Sequence, residues 1–146
     1  MPFTIREAGP SDLDALLSLS PYLHTEDAPP PEAAAAAWAA IQADPNHHLL
    51  LGEEDGAVAS SCALVVVPNL TRAARPYGLI ENVVTHPDFR GRGRATALLR
   101  AAVEIARQAG CYKVMLLTGR KDAATLNFYR GAGFNSEDKT AFIQWL

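Results

Sequence analysis

The sequence predicts an α/β domain of the α+β kind, with a mixed central sheet of about six or seven strands flanked by about four helices. Three observations carry this. Strand-like and helix-like apolar patterns follow one another along all 146 residues with no internal repeat or linker, so residues 1–146 read as a single domain. A glycine-rich turn stands where a strand pattern hands over to a long amphipathic helix pattern. The composition, 49% hydrophobic and 20% charged, is that of an ordinary globular chain.

Phe3 to Glu7 alternates as a short strand, and Ser11 can cap a helix running to about Ser20 with Leu13, Leu16 and Leu17 on its apolar stripe. PPPEAAAAAWAAIQADP has prolines at both ends of an alanine-rich interior. It predicts a helix from near Pro31 that stops before Pro45 and is anchored by Trp38 and Ile41. Leu49 to Gly52 and Ala57 to Val67 are two strands joined across EEDG, a hairpin. A polar, proline-bounded loop, PNLTRAARP, leads to a further strand over Tyr77 to Thr85, stopped by Pro87.

From Gly93 to Ala109, Ala95, Leu98, Leu99, Ala102, Ile105 and Ala106 recur at helical spacing, and Gly110 suits the position after a helix end. Lys113 to Thr118 predicts a strand and Asp122 to Arg130 a short helix capped by Asp122. Phe134 onward predicts a return to strand. Its last residues, Ala141 to Leu146 with Trp145, offer an edge for pairing between subunits of a homodimer or for packing over the sheet.

Charge and cysteine usage narrow the function. Thirteen basic against sixteen acidic side chains leave a net charge of -3, which argues against nucleic acid as the main partner. The positive charge is local: Arg90, Arg92 and Arg94 alternate in one turn, with Arg72 and Arg75 in an earlier loop. Cys62 and Cys111 lack paired metal-ligand spacing and read as reduced thiols of a cytoplasmic protein. His24, His47, His48 and His86 show no metal spacing either, so no metal is expected. The N-terminus has no basic stretch followed by an apolar one, and no apolar run reaches about 18 residues, so neither secretion nor membrane insertion is indicated.

THPDFRGRGRATALLRAAVEIA delivers glycines to a helix start, where free amides and the helix dipole favour an anion and alternating arginines match phosphate geometry. A P-loop would require Lys and then Ser or Thr after the last glycine, whereas Arg94 and Ala95 follow Gly93. A dinucleotide fingerprint would place a small residue at Thr96 and an acidic one about 20 residues on, where Lys113, Val114 and Met115 stand instead.

The run Arg90-Gly91-Arg92-Gly93-Arg94-Ala95 resembles the Arg/Gln-x-x-Gly-x-Gly/Ala signature of the GNAT superfamily of N-acetyltransferases. Asn127-Phe128-Tyr129 followed by Gly131-Ala132-Gly133-Phe134 is similar to its second motif, and the order of elements agrees over essentially the whole chain. The resemblance implies acetyl-CoA as donor, with its pantetheine arm in a gap between the strands at Tyr77 to Thr85 and Lys113 to Thr118. Val83, Val84 and Thr85 would flank the pantetheine and thioester. Arg90, Gly91, Arg92, Gly93, Arg94, Ala95 and Thr96 would hold the pyrophosphate, with Asn127 also on the cofactor side.

Acetyl transfer must deprotonate an ammonium, stabilise an oxyanion and supply a proton to the departing thiolate. Tyr129 is the candidate acid, since a phenol with a reference pKa of about 10 stays protonated at neutral pH. Glu81, in a strand that reads as covered on both faces, is the candidate proton relay, with burial expected to raise its pKa. Asn82 can hydrogen-bond the acceptor, and Asn69 and Arg72 offer contacts from a loop that could close over it.

Glu81-Asn82-Val83 is similar to the Glu-Asp-Val of glucosamine 6-phosphate N-acetyltransferases, with Asn in place of Asp. Leu117 stands where ribosomal-protein N-terminal acetyltransferases often carry Glu, which favours a small-molecule amine over a protein N-terminus. The expectation is therefore N-acetylation of an amino sugar, polyamine or amino-acid-like amine by direct attack. The rival is a non-catalytic acyl-CoA-binding regulatory module.

Overall fold

The computed structural model describes residues 2–23 and 28–146. His24 lies outside the described residues. Five strands, β1 (Thr4–Glu7), β2 (His47–Glu54), β3 (Ala57–Val67), β4 (Tyr77–Thr85) and β5 (Val114–Leu116), form one sheet in sequence order. The first four pair antiparallel and β5 joins β4 in parallel, so the sheet is mixed. Parallel neighbours need a crossover, and α4 (Arg94–Gln108) supplies it. The other helices are α1 (Leu13–Leu19), α2 (Pro31–Ala43), a single turn α3 (Thr71–Ala74) and α5 (Ala123–Gly131). Among the described residues, no helix is long and apolar enough to cross a membrane.

Local chemistry sets most boundaries. The β2–β3 hairpin closes through Asp55 and Gly56, both at positive φ (53° and 76°), the two-residue turn whose twist matches that of the strands. Trp38 anchors α2 by donating its indole N–H to the Pro10 carbonyl at 3.2 Å. Asp122 caps α5 by accepting the Thr125 amide at 3.1 Å. The helix predicted from Ser11 is instead a 3-10 turn, Pro10–Asp12, followed by α1. Asp12 fastens that turn, accepting the Gly9 amide at 2.7 Å and two hydrogen bonds from Arg6.

The core lies between the sheet and α4. Leu98, Leu99, Ala102 and Ala106 of the helix meet Leu50, Cys62, Leu64, Val66 and Ile80 of the strands. Gly78 belongs to that face because a Cβ there would stand 3.1 Å from Leu64 and 3.5 Å from Ala106. Phe128 and Tyr129 of α5 pack against the edge of the same cluster. This packing fixes the angle at which α4 leaves β4, and with it the glycine turn between them.

Two expectations are corrected. The strand predicted from Phe134 onward does not form: residues beyond Phe134 have no regular backbone pairing and all are exposed, so among the described residues the sheet has five strands rather than six or seven. The strand at Lys113 to Thr118 is shorter than predicted, Val114–Leu116. Among the described residues it has a neighbour on one side only, and its pairing with that neighbour ends at Leu116.

Candidate active site

β4 ends at Thr85, and a 3-10 turn, Pro87–Phe89, carries the chain to Arg90, whose Nε donates to the Thr85 carbonyl at 3.0 Å. Gly91 and Gly93 then take φ values of 75° and 77°, a left-handed conformation that glycine adopts without a Cβ penalty. Gly93 is the N-cap of α4 and offers no side chain to cap it. The first bond of the helix ladder runs from the Ala97 amide to the Gly93 carbonyl at 3.0 Å. Among the described residues, the N–H groups of Gly91 through Thr96 therefore have no acceptor. A run of free amides at a helix start can accept an anion.

Beside the turn lies a cavity of about 170 Å³ whose walls include Thr85, Arg90, Gly91, Gly93, Thr96 and Phe128. It is smaller than the roughly 300 Å³ at which pockets begin to hold a whole small molecule, so it suits one part of an extended ligand. The Thr85 hydroxyl oxygen is buried there with no hydrogen-bond partner among the described residues. A buried orphan hydroxyl costs about 1–3 kcal/mol unless a ligand or water satisfies it.

The sheet opens next to this cavity. β4 and β5 pair at Gly78–Val114, Leu79–Met115 and Ile80–Leu116 and then part. On its other side β4 carries a bulge: Ala63 lies opposite Glu81 and Ser61 opposite Val84, so two steps on β3 span three on β4. Asn82 absorbs the extra residue at φ 56°, a conformation Asn tolerates better than most side chains. Glu81 and Asn82 are consequently exposed. Tyr129 is partly buried, and burial first, with the nearby Cys62 second, pushes its phenol above the ordinary value. Its hydroxyl makes no hydrogen bond among the described residues, so it is both protonated and free to donate at neutral pH.

The chain matches the acetyltransferase (GNAT) family over residues 13–134. It belongs to that family. A provisionally named acetyltransferase from Agrobacterium tumefaciens str. C58 has the same fold with a TM-score of 0.90 and 44% identity, over 97% of this chain and 99% of that one. A glucosamine 6-phosphate N-acetyltransferase of Trypanosoma brucei brucei is 39% identical over 84 residues, which are 58% of this chain and 55% of the relative. The chain thus spans about half the length of that curated relative. At 18% identity, an aminoglycoside N-acetyltransferase solved in complex with CoA shares the fold, with a TM-score of 0.82 over 99% of this chain and 95% of that one. GNAT acetyltransferases use acetyl-CoA as donor.

Within this GNAT domain the predicted residues divide. Val83, Val84 and Thr85 line the open end of β4, and Arg90 to Thr96 form the turn beside it. Arg94, however, aims its guanidinium away from any anion in the turn. It forms a two-pronged ion pair with Glu54 at the end of β2, donates to the Arg92 carbonyl at 2.9 Å, and lies 5.7 Å from the centre of the Phe3 ring. Arg94 therefore braces the turn, and Arg92, exposed and without a side-chain partner among the described residues, is the free cation.

The expectation that burial tunes Glu81 is corrected, because the bulge turns it to solvent. Asn127 is exposed on α5 and accepts from Arg130 at 3.4 Å, two residues before Tyr129 rather than in the cavity wall. Asn69 and Arg72 are not brought to the site. They stand before the first residue of β4, at the end opposite Thr85, and nine strand residues separate those ends by about 26 Å. Asn69 there holds its own loop through Thr71 and the Arg75 carbonyl, while Arg72 stacks 5.4 Å from the Tyr112 ring centre. Arg75 donates to the Gly110 and Cys111 carbonyls, closing the C-terminal end of α4.

Sequence reasoning missed Glu54, which reads as a turn residue in EEDG, and Phe128, quoted only for its motif. The signal for Glu54 was available only as an acid just before the hairpin turn, and nothing local tells such a residue that its partner is 40 positions on.

Proposed function

We propose that this GNAT domain is an acetyl-CoA-dependent N-acetyltransferase acting on a primary amine of a small molecule, an amino sugar above other classes. The observation that carries the donor is the run of unpaired amides from Gly91 to Thr96 at the start of α4, next to an orphan Thr85 hydroxyl. Pyrophosphate oxygens would accept from those amides, with Arg92 and Arg90 adding charge. The pantetheine arm would lie in the opening beyond Ile80 and Leu116, pairing with the exposed edge of β4 from Val83 to Thr85. Similarity to a glucosamine 6-phosphate N-acetyltransferase supports the amino-sugar class.

In the reaction, the neutral amine attacks the thioester carbonyl carbon, and β4 amides beside the bulge stabilise the oxyanion that forms. Collapse breaks the carbon–sulfur bond, and Tyr129 donates its proton to the departing sulfur. The amine's own proton leaves through water towards the exposed Glu81 carboxylate at the bulge, Asn82 beside it would hydrogen-bond the acceptor, and Tyr129 regains its proton from solvent. Products are the N-acetylated amine and CoA.

The test is free-thiol release from acetyl-CoA against amino sugars and their phosphates, polyamines, amino acids and peptides, with Tyr129→Phe alongside. Release that requires an amino sugar and falls about 10²- to 10⁴-fold in the variant supports the reading. Acetyl-CoA binding with no release across the panel replaces it with the acyl-CoA-binding module.

A further inference from the structure

Among the described residues, two buried side-chain oxygens have no hydrogen-bond partner, Ser60 Oγ on β3 and Thr85 Oγ1 on β4. The sheet sets these two residues directly opposite one another. The His86 amide donates to the Ala59 carbonyl at 2.8 Å, which puts Ala59 and His86 at a hydrogen-bonded step of the ladder and Ser60 with Thr85 at the adjoining, closer step. Side chains opposed at such a step share a face, with Cα atoms roughly 4.5 Å apart, and a rotation about χ1 brings two hydroxyls into bonding range.

Nothing local accounts for a hydroxyl at position 60. Ser60 is fully buried, and strand alternation gives it the face on which Cys62, Leu64 and Val66 meet α4. Its other neighbour, Gly52 on β2, leaves room for it: a Cβ there would stand 2.5 Å from Ser60 Oγ and would also strike the Phe3 ring. Alanine at 60 and valine at 85 would fill the same places without leaving a polar atom dry. A buried group without a partner in a native protein calls for one, and here two such groups stand side by side. Thr85 also lines the cavity next to the free amides of Gly91 to Thr96, so a ligand at the turn comes within reach of its side chain.

We infer that Ser60 is a positioning residue for acetyl-CoA, acting through Thr85: with acetyl-CoA bound, the Thr85 hydroxyl donates to one of its oxygens at the turn, and the Ser60 hydroxyl donates to Thr85 Oγ1. The inference rests on the glycine turn being the acetyl-CoA site and adds to that reading a pair of side chains behind the backbone amides. Each hydroxyl has one proton to give and lone pairs to accept, so the two form a short chain with a single direction, from β3 through β4 to the ligand. Donation from Ser60 settles which way the threonine proton points and strengthens the bond it makes. The unpaired hydroxyls are then a cost carried by the free protein and recovered on binding.

That cost gives the test its sign. Ser60→Ala, Thr85→Val and the double variant are compared by calorimetry with acetyl-CoA and by thermal melting of the ligand-free protein. The dissociation constant should rise about tenfold in Thr85→Val and roughly three- to tenfold in Ser60→Ala. The double variant should bind no more weakly than Thr85→Val alone, because Ser60 acts only through the threonine. Melting of the free variants should stay at the wild-type temperature or rise by a few degrees, opposite in sign to the change in affinity. Unchanged affinity in Ser60→Ala overturns the inference, and so do losses that add in the double variant. Weaker binding together with a lower melting temperature overturns it as well, since Ser60 would then only support the sheet. A wild-type protein that fails to bind acetyl-CoA removes the donor-site reading and this inference with it, whereas binding untouched by Ser60→Ala removes this inference alone.

Discussion

Glu54→Gln isolates the brace behind the glycine turn, because it keeps the side chain's shape and removes its charge. In the native protein the Glu54 and Arg94 side chains are only 10% and 16% exposed, and they meet through two hydrogen bonds. Removing one member of a fully buried pair costs about 3–5 kcal/mol, because the other is left charged and unpaired. Arg94 retains the Arg92 carbonyl, the Phe3 ring and some water, so a loss of about 2–3 kcal/mol is expected here.

For a domain of this size that loss lowers the melting temperature by about 5–10 °C. Urea denaturation of Glu54→Gln, Arg94→Met and the double variant Glu54→Leu/Arg94→Met measures it. The double variant should lie closer to wild type than either single one, with a coupling of about 2 kcal/mol. Since Arg94 is the first residue of α4, acetyl-CoA affinity should also fall about tenfold in Glu54→Gln. A single-variant loss below about 0.5 kcal/mol with no coupling would show that the pair is screened by solvent and braces nothing.

Further outcomes follow from other parts of the molecule. Gly93→Asp puts a charge and a side chain at a left-handed position among the free amides, and calorimetry should show acetyl-CoA binding abolished; retained affinity would move the donor site away from the turn. Hydrogen bonds from Arg6 first, then from the Gly9 amide, hold the Asp12 carboxyl down to about 2. Its folded value lies below its unfolded one, so its contribution is complete above about pH 4 and is lost as the pH falls towards 2. Urea midpoints should show about 2 kcal/mol lost across that window and no such loss in Asp12→Asn. Burial pushes the Cys62 thiol up to about 12, so a thiol reagent at neutral pH should modify Cys111 slowly and Cys62 only on unfolding. Two equally reactive thiols in the folded protein would contradict the packing of β3 under α4.

Much of this was written locally in the chain. The β4 span, Tyr77–Thr85, α2 between its prolines, and α4 between Gly93 and Gly110 follow from periodicity, stop residues and caps acting within one element. The geometry of the glycine turn was legible for the same reason, since glycines at positive φ and a helix start with free amides are properties of six consecutive residues. Tyr129 and Thr85 could be singled out because motif and strand end place them by spacing.

What the sequence alone did not determine depends on which end of the sheet a residue reaches and on what lies across from it. The loop with Asn69 and Arg72 looked like a lid until the opening between β4 and β5 fell beyond Ile80 and Leu116, towards the other end of β4. Glu81 looked buried until one extra residue at Asn82 turned it outward, and Arg94 looked like a phosphate contact until Glu54 arrived from another strand. The segment after Phe134 has strand propensity, but a strand exists only where an edge receives it, and its own domain leaves it unpaired. Propensity and capping are decided within a few residues, whereas register, burial and ion pairing are decided by residues tens of positions apart, and only the folded chain brings those together.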